Sequence, residues 1–88
     1  MKPIYRNNTF EKHYKARIAH NEILVKQFEL RLAMFMEGVR GRPLSDHGLK
    51  GKKRMLRAWS VAGDIRVVYR ETDEYCEFLD IGSHNQVY

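Results

Sequence analysis

The sequence predicts an α+β fold in which two N-terminal helices pack on one face of a small, mainly antiparallel sheet. In the N-terminal half, apolar residues recur at helical spacing up to the break at Gly41-Arg42-Pro43. After that break, short runs rich in Val, Ile, Trp and Tyr alternate with turn residues, as strands do. The expected order is therefore β-α-α-β-β-β, in one domain that spans residues 1–88.

The chain is expected to begin with a short strand and a helix. Ile4–Arg6 is the candidate first strand. Asn8 precedes Glu11 by three residues, which is close to a capping box, so we expect the first helix to begin there. Its inward face would be formed by apolar residues at four-residue intervals: Phe10, Tyr14 and Ile18.

A second helix is expected from Glu22 to Glu37, because this segment contains neither Gly nor Pro. Asn21 is its candidate N-cap, and Gly38 its C-terminal stop. Its inward face would be formed by Leu24, Phe28, Leu32 and Phe35. Three further apolar residues widen this surface: Leu30, Met34 and Met36. Most of this surface is expected to be core, and the alternative for the surplus is a place where a protein partner docks.

The C-terminal half is expected to form three strands. Arg54–Val61 and Ile65–Arg70 are separated by Ala62-Gly63-Asp64, which has the composition of a hairpin turn. Thr72-Asp73-Glu74 forms a second turn, and Tyr75–Ile81 is the last strand. These strands supply most of the predicted sheet.

The net charge of +5 comes from one segment. Arg40–Arg57 contains seven Lys or Arg residues and one acid, which leaves nine basic and ten acidic residues in the rest of the chain. A concentrated basic patch is typical of a protein that binds a polyanion, although a solvated basic loop without a partner is the alternative. The residues expected to contact an RNA backbone are Lys50, Lys52, Lys53, Arg54 and Arg57.

Five residues at strand ends and turns carry groups suited to phosphate and proton chemistry: His47, Asp64, Arg66, His84 and Tyr88. Imidazole accepts or donates a proton near neutral pH, and a guanidinium held on a strand suits a phosphate. Each residue also has an ordinary structural alternative, such as an exposed histidine or arginine, a turn aspartate or an aromatic at a sheet edge. His84 and Tyr88 follow the last strand, so their substitution is expected to disturb the core little.

The remaining signals favour a cytoplasmic protein without a metal. The single cysteine, Cys76, cannot form an internal disulfide, and no signal peptide or membrane-spanning run is visible. Cys76 and Trp59 lie inside predicted strands, where we expect them to fill the core. His13 and His20 lie on or beside the first helix, and no H-E-x-x-H or C-x-x-C spacing occurs, so no metal site is expected.

Three segments of the chain carry a family resemblance: D-H-G-L-K-G-K, R-A-W-S-V-A-G-D-I-R-V-V-Y and F-L-D-I-G-S-H-N-Q-V-Y. Together they closely resemble the RelE/ParE toxin superfamily, especially its YafQ-like branch. The resemblance covers the whole chain in element order and is most specific from Leu44 to Tyr88. It implies a bacterial toxin of a type II toxin–antitoxin pair that cuts messenger RNA on the ribosome.

The resemblance also implies roles for individual residues. His47 would be a catalytic histidine, His84 the general acid, and Tyr88 an aromatic that stacks a base at the cut site. Asp64 would contribute either directly or by orienting a histidine. The family pattern often has a histidine where this chain has Ser60, and a serine hydroxyl cannot act as a base near neutral pH. By the resemblance, either the general base is His47 or Asp64, or the enzyme is slower.

The expected activity is that of a metal-independent, ribosome-dependent endoribonuclease that needs no cofactor. The 2′-hydroxyl of the RNA would be the nucleophile, and the products would carry a 2′,3′-cyclic phosphate or 3′-phosphate and a 5′-hydroxyl. The expected partners are a cognate antitoxin, messenger RNA and the ribosome, with no membrane involved. The alternative is a non-catalytic protein of the same fold, which inhibits gyrase or binds RNA and which has no need of both His47 and His84.

Overall fold

A computed structural model describes residues 2–88 and confirms the predicted fold class. Its strands and helices follow in the order β1 (Ile4–Arg6), α1 (Asn8–Arg17), α2 (Glu22–Met36), β2 (His47–Gly48), β3 (Arg57–Ala62), β4 (Ile65–Glu71), β5 (Cys76–Ser83) and α3 (His84–Val87). A short 3-10 turn at Gly51–Lys53 precedes β3. None of the helices within residues 2–88 is long and apolar enough to span a membrane.

The five strands form one sheet in the order β1-β5-β4-β3-β2. β1 pairs in parallel with β5, and the other neighbouring strands pair antiparallel. The expected first strand is therefore present, at the edge of the sheet beside the last strand. β5 lies between β1 and β4, so the segment that follows it starts beside the middle of the sheet.

Both long helices begin at an asparagine. The side chain of Asn7, rather than the expected Asn8, accepts a hydrogen bond from the Phe10 backbone N–H at 2.8 Å. The helix begins at Asn8 as expected, but its N-cap is Asn7, because Asn7 is the residue that keeps the extended backbone an N-cap must have. Asn21 caps α2 as expected, and Gly38, with φ +96°, ends it in the left-handed conformation.

The main core lies between α1, α2 and one face of the sheet. Its buried apolar residues come from both predicted helix stripes and from the strands: Phe10, Ile18, Phe28, Phe35, Trp59, Val61, Val67, Tyr69, Phe78 and Ile81. The other stripe residues pack against this core and are partly buried: Tyr14, Leu24 and Leu32. Trp59 is fully buried, as expected. Cys76 is also buried, and burial raises the pKa of its thiol to about 12, so the thiol is an inert part of the core.

A second, smaller cluster lies on the opposite face of the sheet, which we call the outer face. The helix α3, which the sequence did not predict, folds back across this face and buries Val87 against Ala58 and Val68. Val87 is only 6% exposed, so the segment after the last strand contributes a buried residue that the sequence pattern did not predict. β2 was also not predicted, because two residues are too few to show an alternating pattern.

Candidate active site

The predicted site residues meet on the outer face, around the ring of Tyr88. Ser83 and Gln86 form a capping box that starts α3 directly after β5. His84 and Tyr88 are then four residues apart and lie on the same side of the helical turn. Their ring centres are 4.4 Å apart in an edge-on arrangement, and the Tyr88 N–H donates to the His84 carbonyl at 3.0 Å. Helix geometry therefore brings the imidazole and the phenol together.

Gly82 allows α3 to approach the sheet closely. A Cβ atom at Gly82 would lie 2.6 Å from Arg17 Nη1 and 2.6 Å from Gln86 Oε1, too close for either neighbour. The Arg17 guanidinium in turn donates to the Ile81 carbonyl at 2.9 Å. A side chain at position 82 would therefore displace the ends of the Arg17 and Gln86 side chains.

Asp64 connects the β3–β4 turn to the start of α3. Its Oδ2 accepts a hydrogen bond from the His84 backbone N–H at 3.2 Å, and its Oδ1 lies 3.9 Å from Arg66 Nη2. The carboxylate remains 61% exposed. Both oxygens are therefore engaged in holding neighbouring site residues, which fits an orienting role more directly than that of a base.

Arg66 occupies the centre of the outer face. It pairs with Ser60 on β3 and Gly82 on β5, and its guanidinium carbon lies 5.8 Å from the centre of the Tyr88 ring. Its Nε is buried and has no hydrogen-bond partner among residues 2–88. The Arg66 side chain thus lies beside the Tyr88 ring, and its Nε–H is not used in a hydrogen bond within residues 2–88.

Tyr88 is partly exposed but buries its hydroxyl group. Its hydroxyl oxygen is buried and has no hydrogen-bond partner among residues 2–88. Burial raises the pKa of Tyr88 above its usual value, and the charge of Arg66 opposes this shift only in part. The phenol therefore stays neutral, and its partly exposed ring is the part that a substrate can reach.

His47 lies on β2, opposite Ala58 of β3. Its Nδ1 is 3.0 Å from the Ser45 carbonyl oxygen. Because a carbonyl only accepts hydrogen bonds, Nδ1 carries the proton, and in the neutral ring Nε2 is the free acceptor. The imidazole borders a cavity of about 350 Å³ whose other lining residues are Gly48, Leu49, Lys50, Lys53 and Tyr88.

The cationic loop that runs from Lys50 to Arg54 forms one wall of this site. Lys50 and Lys53 line the cavity, and Lys52 and Arg54 are exposed beside it. Lys53 also donates from Nζ to the carbonyl oxygens of Val87 and Tyr88, at 3.0 and 3.3 Å. The loop therefore contributes positive charge to the site and holds the end of α3.

Arg57, the fifth residue expected to contact RNA, is engaged elsewhere. Its Nε and Nη2 lie 2.7 and 2.6 Å from Oδ1 of Asp46, and this hydrogen-bonded pair raises the pKa of Arg57. The Asp46 side chain is fully buried. Sequence reasoning placed Asp46 only as a neighbour of His47. No sequence pattern signalled its burial, because the strand that follows it is only two residues long.

Two of the four histidines lie away from the site. His13 on α1 forms a hydrogen bond from Nδ1 to Asp80 Oδ1 at 2.6 Å, on the border of α1 and β5. His20 is exposed in the turn after α1. The structure therefore gathers only His47 and His84 around Tyr88.

Solved structures of the same fold are toxins. The chain superposes on YafQ from Escherichia coli strain BL21(DE3) with a TM-score of 0.80 at 20% identity, over 100% of this chain and 99% of YafQ. A structure of the E. coli DinJ-YafQ complex matches with a TM-score of 0.81 at 19% identity, over 100% of this chain and 99% of the other. A metal-bound toxin from Helicobacter pylori matches with a TM-score of 0.77 at 21% identity, over the full length of both chains.

No family model and no curated protein matches the chain by sequence. The structural likeness extends over the full length of YafQ and includes the sheet and both long helices. A YoeB/ParE toxin from Agrobacterium tumefaciens matches as well, with a TM-score of 0.76 at 15% identity, over 96% of this chain and 99% of that toxin. The chain therefore has the fold of the RelE/ParE-type toxins, with YafQ as a full-length structural counterpart.

Proposed function

We propose that this chain is the toxin of a type II toxin–antitoxin system and cleaves messenger RNA on the ribosome. The observation that carries the proposal is the meeting of two imidazoles, one guanidinium and a cationic loop around Tyr88 on the outer face. These groups match the needs of RNA cleavage through the 2′-hydroxyl: a base, an acid, and positive charge for the phosphoryl oxygens.

In the proposed reaction His47 is the base and His84 is the acid. Nε2 of His47 takes the proton of the 2′-hydroxyl, whose oxygen attacks the adjacent phosphorus. As the bond from phosphorus to the 5′-oxygen breaks, protonated His84 gives its proton to that oxygen. The products are a 2′,3′-cyclic phosphate and a 5′-hydroxyl, and water can later open the cyclic phosphate to a 3′-phosphate.

The contacts of Asp64 favour His47 as the base. One oxygen of Asp64 accepts from the His84 backbone and the other lies near Arg66, whereas Nε2 of His47 has no partner among residues 2–88. Asp64 would then position His84 and Arg66. Ser60 lies opposite Arg66 in the sheet.

Arg66 and Tyr88 would bind the two nucleotides at the cut site. The terminal nitrogens of the planar Arg66 guanidinium can donate to the phosphoryl oxygens as charge builds on them. The ring of Tyr88 offers a face on which a base can stack. Neither role requires a change in protonation, in keeping with the raised pKa of Tyr88.

The cationic loop should set affinity rather than chemistry. Replacing Lys50, Lys52 and Arg54 together by glutamine should weaken RNA binding, because fewer counterions are released. The slope of log affinity against log salt should fall by about two, at about 0.7 for each single-stranded phosphate contact. Binding would be measured between low and moderate salt with a single-stranded RNA.

A matched triple variant, K12Q/K15Q/K26Q, removes the same charge from the exposed surface of α1 and α2. It should leave the salt slope near that of the parent protein. If the loop variant and this control give the same slope, the loop does not belong to the RNA-binding surface.

The proposed antitoxin has two separate places to dock on α2. Leu30 is 63% exposed and Met36 is 49% exposed. Because they are six residues apart in the helix, their side chains lie on different sides of α2. Met34, the third residue expected on this surface, packs against the core and is only partly exposed. The DinJ-YafQ structure is a toxin–antitoxin complex in which the toxin has the same fold. By analogy, this chain is proposed to be bound by its own antitoxin.

Leu30→Glu should weaken binding of the antitoxin by about tenfold to a hundredfold, because one buried leucine contributes about 1.5–3 kcal/mol. The free energy of unfolding of the Leu30→Glu protein should change little, since the Leu30 side chain is exposed. Affinity would be measured with the co-purified antitoxin. A loss with Met36→Glu alone would move the docking site to the other side of α2, and no loss with either variant would exclude α2.

The test of the proposed function is to incubate the protein with translating ribosomes and a defined messenger RNA, and to map both new ends. Cuts at codon-related positions with cyclic or 3′-phosphate ends are expected. If growth stops while the RNA stays intact, the protein acts by binding, as a gyrase-inhibiting or RNA-binding module would.

A further inference from the structure

His47 is carried by a strand that is too short to fix its own orientation. β2 consists of two residues, pairs only with β3, and lies at the edge of the sheet. Neighbouring side chains in a strand point to opposite faces, so a shift of one residue would turn His47 away from the outer face. Two residue pairs join β2 to β3: His47 with Ala58 and Gly48 with Arg57. So few pairs oppose such a shift only weakly.

The residue before His47 supplies a much stronger anchor. The side chain of Asp46 is fully buried, and its Oδ1 accepts from Arg57 Nε and Nη2 at 2.7 and 2.6 Å. Its Oδ2 accepts a hydrogen bond from the Tyr69 hydroxyl. Arg57 and Tyr69 are direct partners across β3 and β4. One carboxylate therefore ties the start of β2 to the next two strands of the sheet.

The Asp46 carboxylate cannot leave this position without a large cost in free energy. A buried carboxylate is tolerated only while it is paired and hydrogen-bonded. Burial, reinforced by Asp46, raises the pKa of Tyr69, so its hydroxyl remains a donor. The Asp46 backbone N–H also donates to the Arg40 carbonyl at 2.8 Å, which fixes the loop before it. Because Asp46 points inward, His47 must point outward.

We infer that Asp46 is a positioning residue for the proposed RNA cleavage: its buried carboxylate, held by Arg57 and Tyr69, keeps the His47 imidazole on the outer face with Nε2 free. The inference rests on the proposed function for its effect on rate. Its structural part concerns only the orientation and tautomer of His47, so it can be measured on the protein without RNA.

The direct test is Asp46→Asn, which keeps the size of the side chain and removes its charge. The nitrogen chemical shifts of the His47 ring would be recorded by NMR, and kcat and KM for RNA cleavage would be measured on the same samples. In the parent protein the shifts should be those of a single tautomer protonated at Nδ1. In the variant they should move toward the average of both tautomers. The value of kcat should fall about 10- to 100-fold, as misplacement of a catalytic group by about an ångström does, with KM changed less than about twofold.

Two further variants keep the test decisive. Glu77→Gln removes one negative charge from an ion pair with Arg70 on β4 and β5, and should leave the His47 shifts and kcat unchanged. Tyr69→Phe keeps the core ring and removes one of the hydrogen bonds to Asp46, so it should shift the His47 signals in the same direction by a smaller amount. If Asp46→Asn does not fold, the His47 shifts of the Tyr69→Phe protein test the inference instead.

The possible outcomes separate the inference from the proposed function. Unchanged His47 shifts in a folded Asp46→Asn protein, or in Tyr69→Phe if the first does not fold, would overturn the inference. If the parent protein does not cleave RNA, the proposed function fails, while a change of tautomer in the variants still supports the anchor. A fall in kcat without a change in the His47 shifts would assign Asp46 another role and would also overturn the inference.

Discussion

Replacing His84 by alanine should lower the rate of RNA cleavage about 10²-fold or more while folding and ribosome binding stay near normal. This loss is typical when a positioned acid or base is removed. The His84 imidazole is exposed and forms no hydrogen bond with the rest of residues 2–88, whereas the backbone N–H that bonds to Asp64 is kept in the variant. Single-turnover cleavage of ribosome-bound messenger RNA would measure the effect.

His20→Ala is the matched control, because His20 is an exposed histidine in the turn after α1, away from the site. It should cleave at the parent rate. Cleavage at the parent rate by the His84→Ala protein would remove His84 from the role of the acid. Arrest of growth by that variant without any cleavage would favour the non-catalytic alternative.

Replacing Arg66 by alanine should lower cleavage by about 10²- to 10³-fold, the range found when one donor to a developing negative charge is removed. Affinity for the ribosome should change little, since the cationic loop supplies most of the long-range attraction. Stability should also change little, because the contact with Asp64 is long, at 3.9 Å, and partly exposed.

Arg66→Lys provides the control for charge. It keeps the positive charge but loses the planar fork that matches a phosphate, so its cleavage rate should fall between those of the parent and Arg66→Ala. If the lysine variant cleaves at the parent rate, the fork is not needed. If the alanine variant does so, Arg66 does not contact the scissile phosphate.

The sequence was sufficient for the elements whose patterns are long. Residue spacing predicts the helical stripe through Phe28 and Phe35, and an asparagine marks the start of α2. Apolar runs separated by turn residues predict the strands around Trp59 and Val67. The small elements that build the site were not predictable in this way. A strand of two residues at His47 and a four-residue helix after Ser83 have no repeat to recognise, and they exist because of tertiary contacts.

The same limit applies to the assignment of charged residues. Arg57 and Lys53 look alike in a basic run, yet Arg57 is paired with the buried Asp46 while Lys53 reaches the end of α3. Which of these basic residues is neutralised depends on a contact with a residue elsewhere in the chain, and local sequence does not show such contacts. The grouping of His47, Arg66 and His84 around Tyr88 was expected only through the family resemblance, and the path of α3 provides its physical reason.

The central proposal is that side chains of the outer face activate the 2′-hydroxyl of the RNA itself. A messenger RNA with a single 2′-deoxynucleotide on the 5′ side of a mapped cut tests this directly, with the all-ribose messenger in parallel. The all-ribose RNA should be cut to a 2′,3′-cyclic phosphate or 3′-phosphate and a 5′-hydroxyl, and the substituted RNA should stay intact at that position alone. Cutting of the substituted RNA at that position, or new ends that carry a 5′-phosphate, would contradict the proposed mechanism.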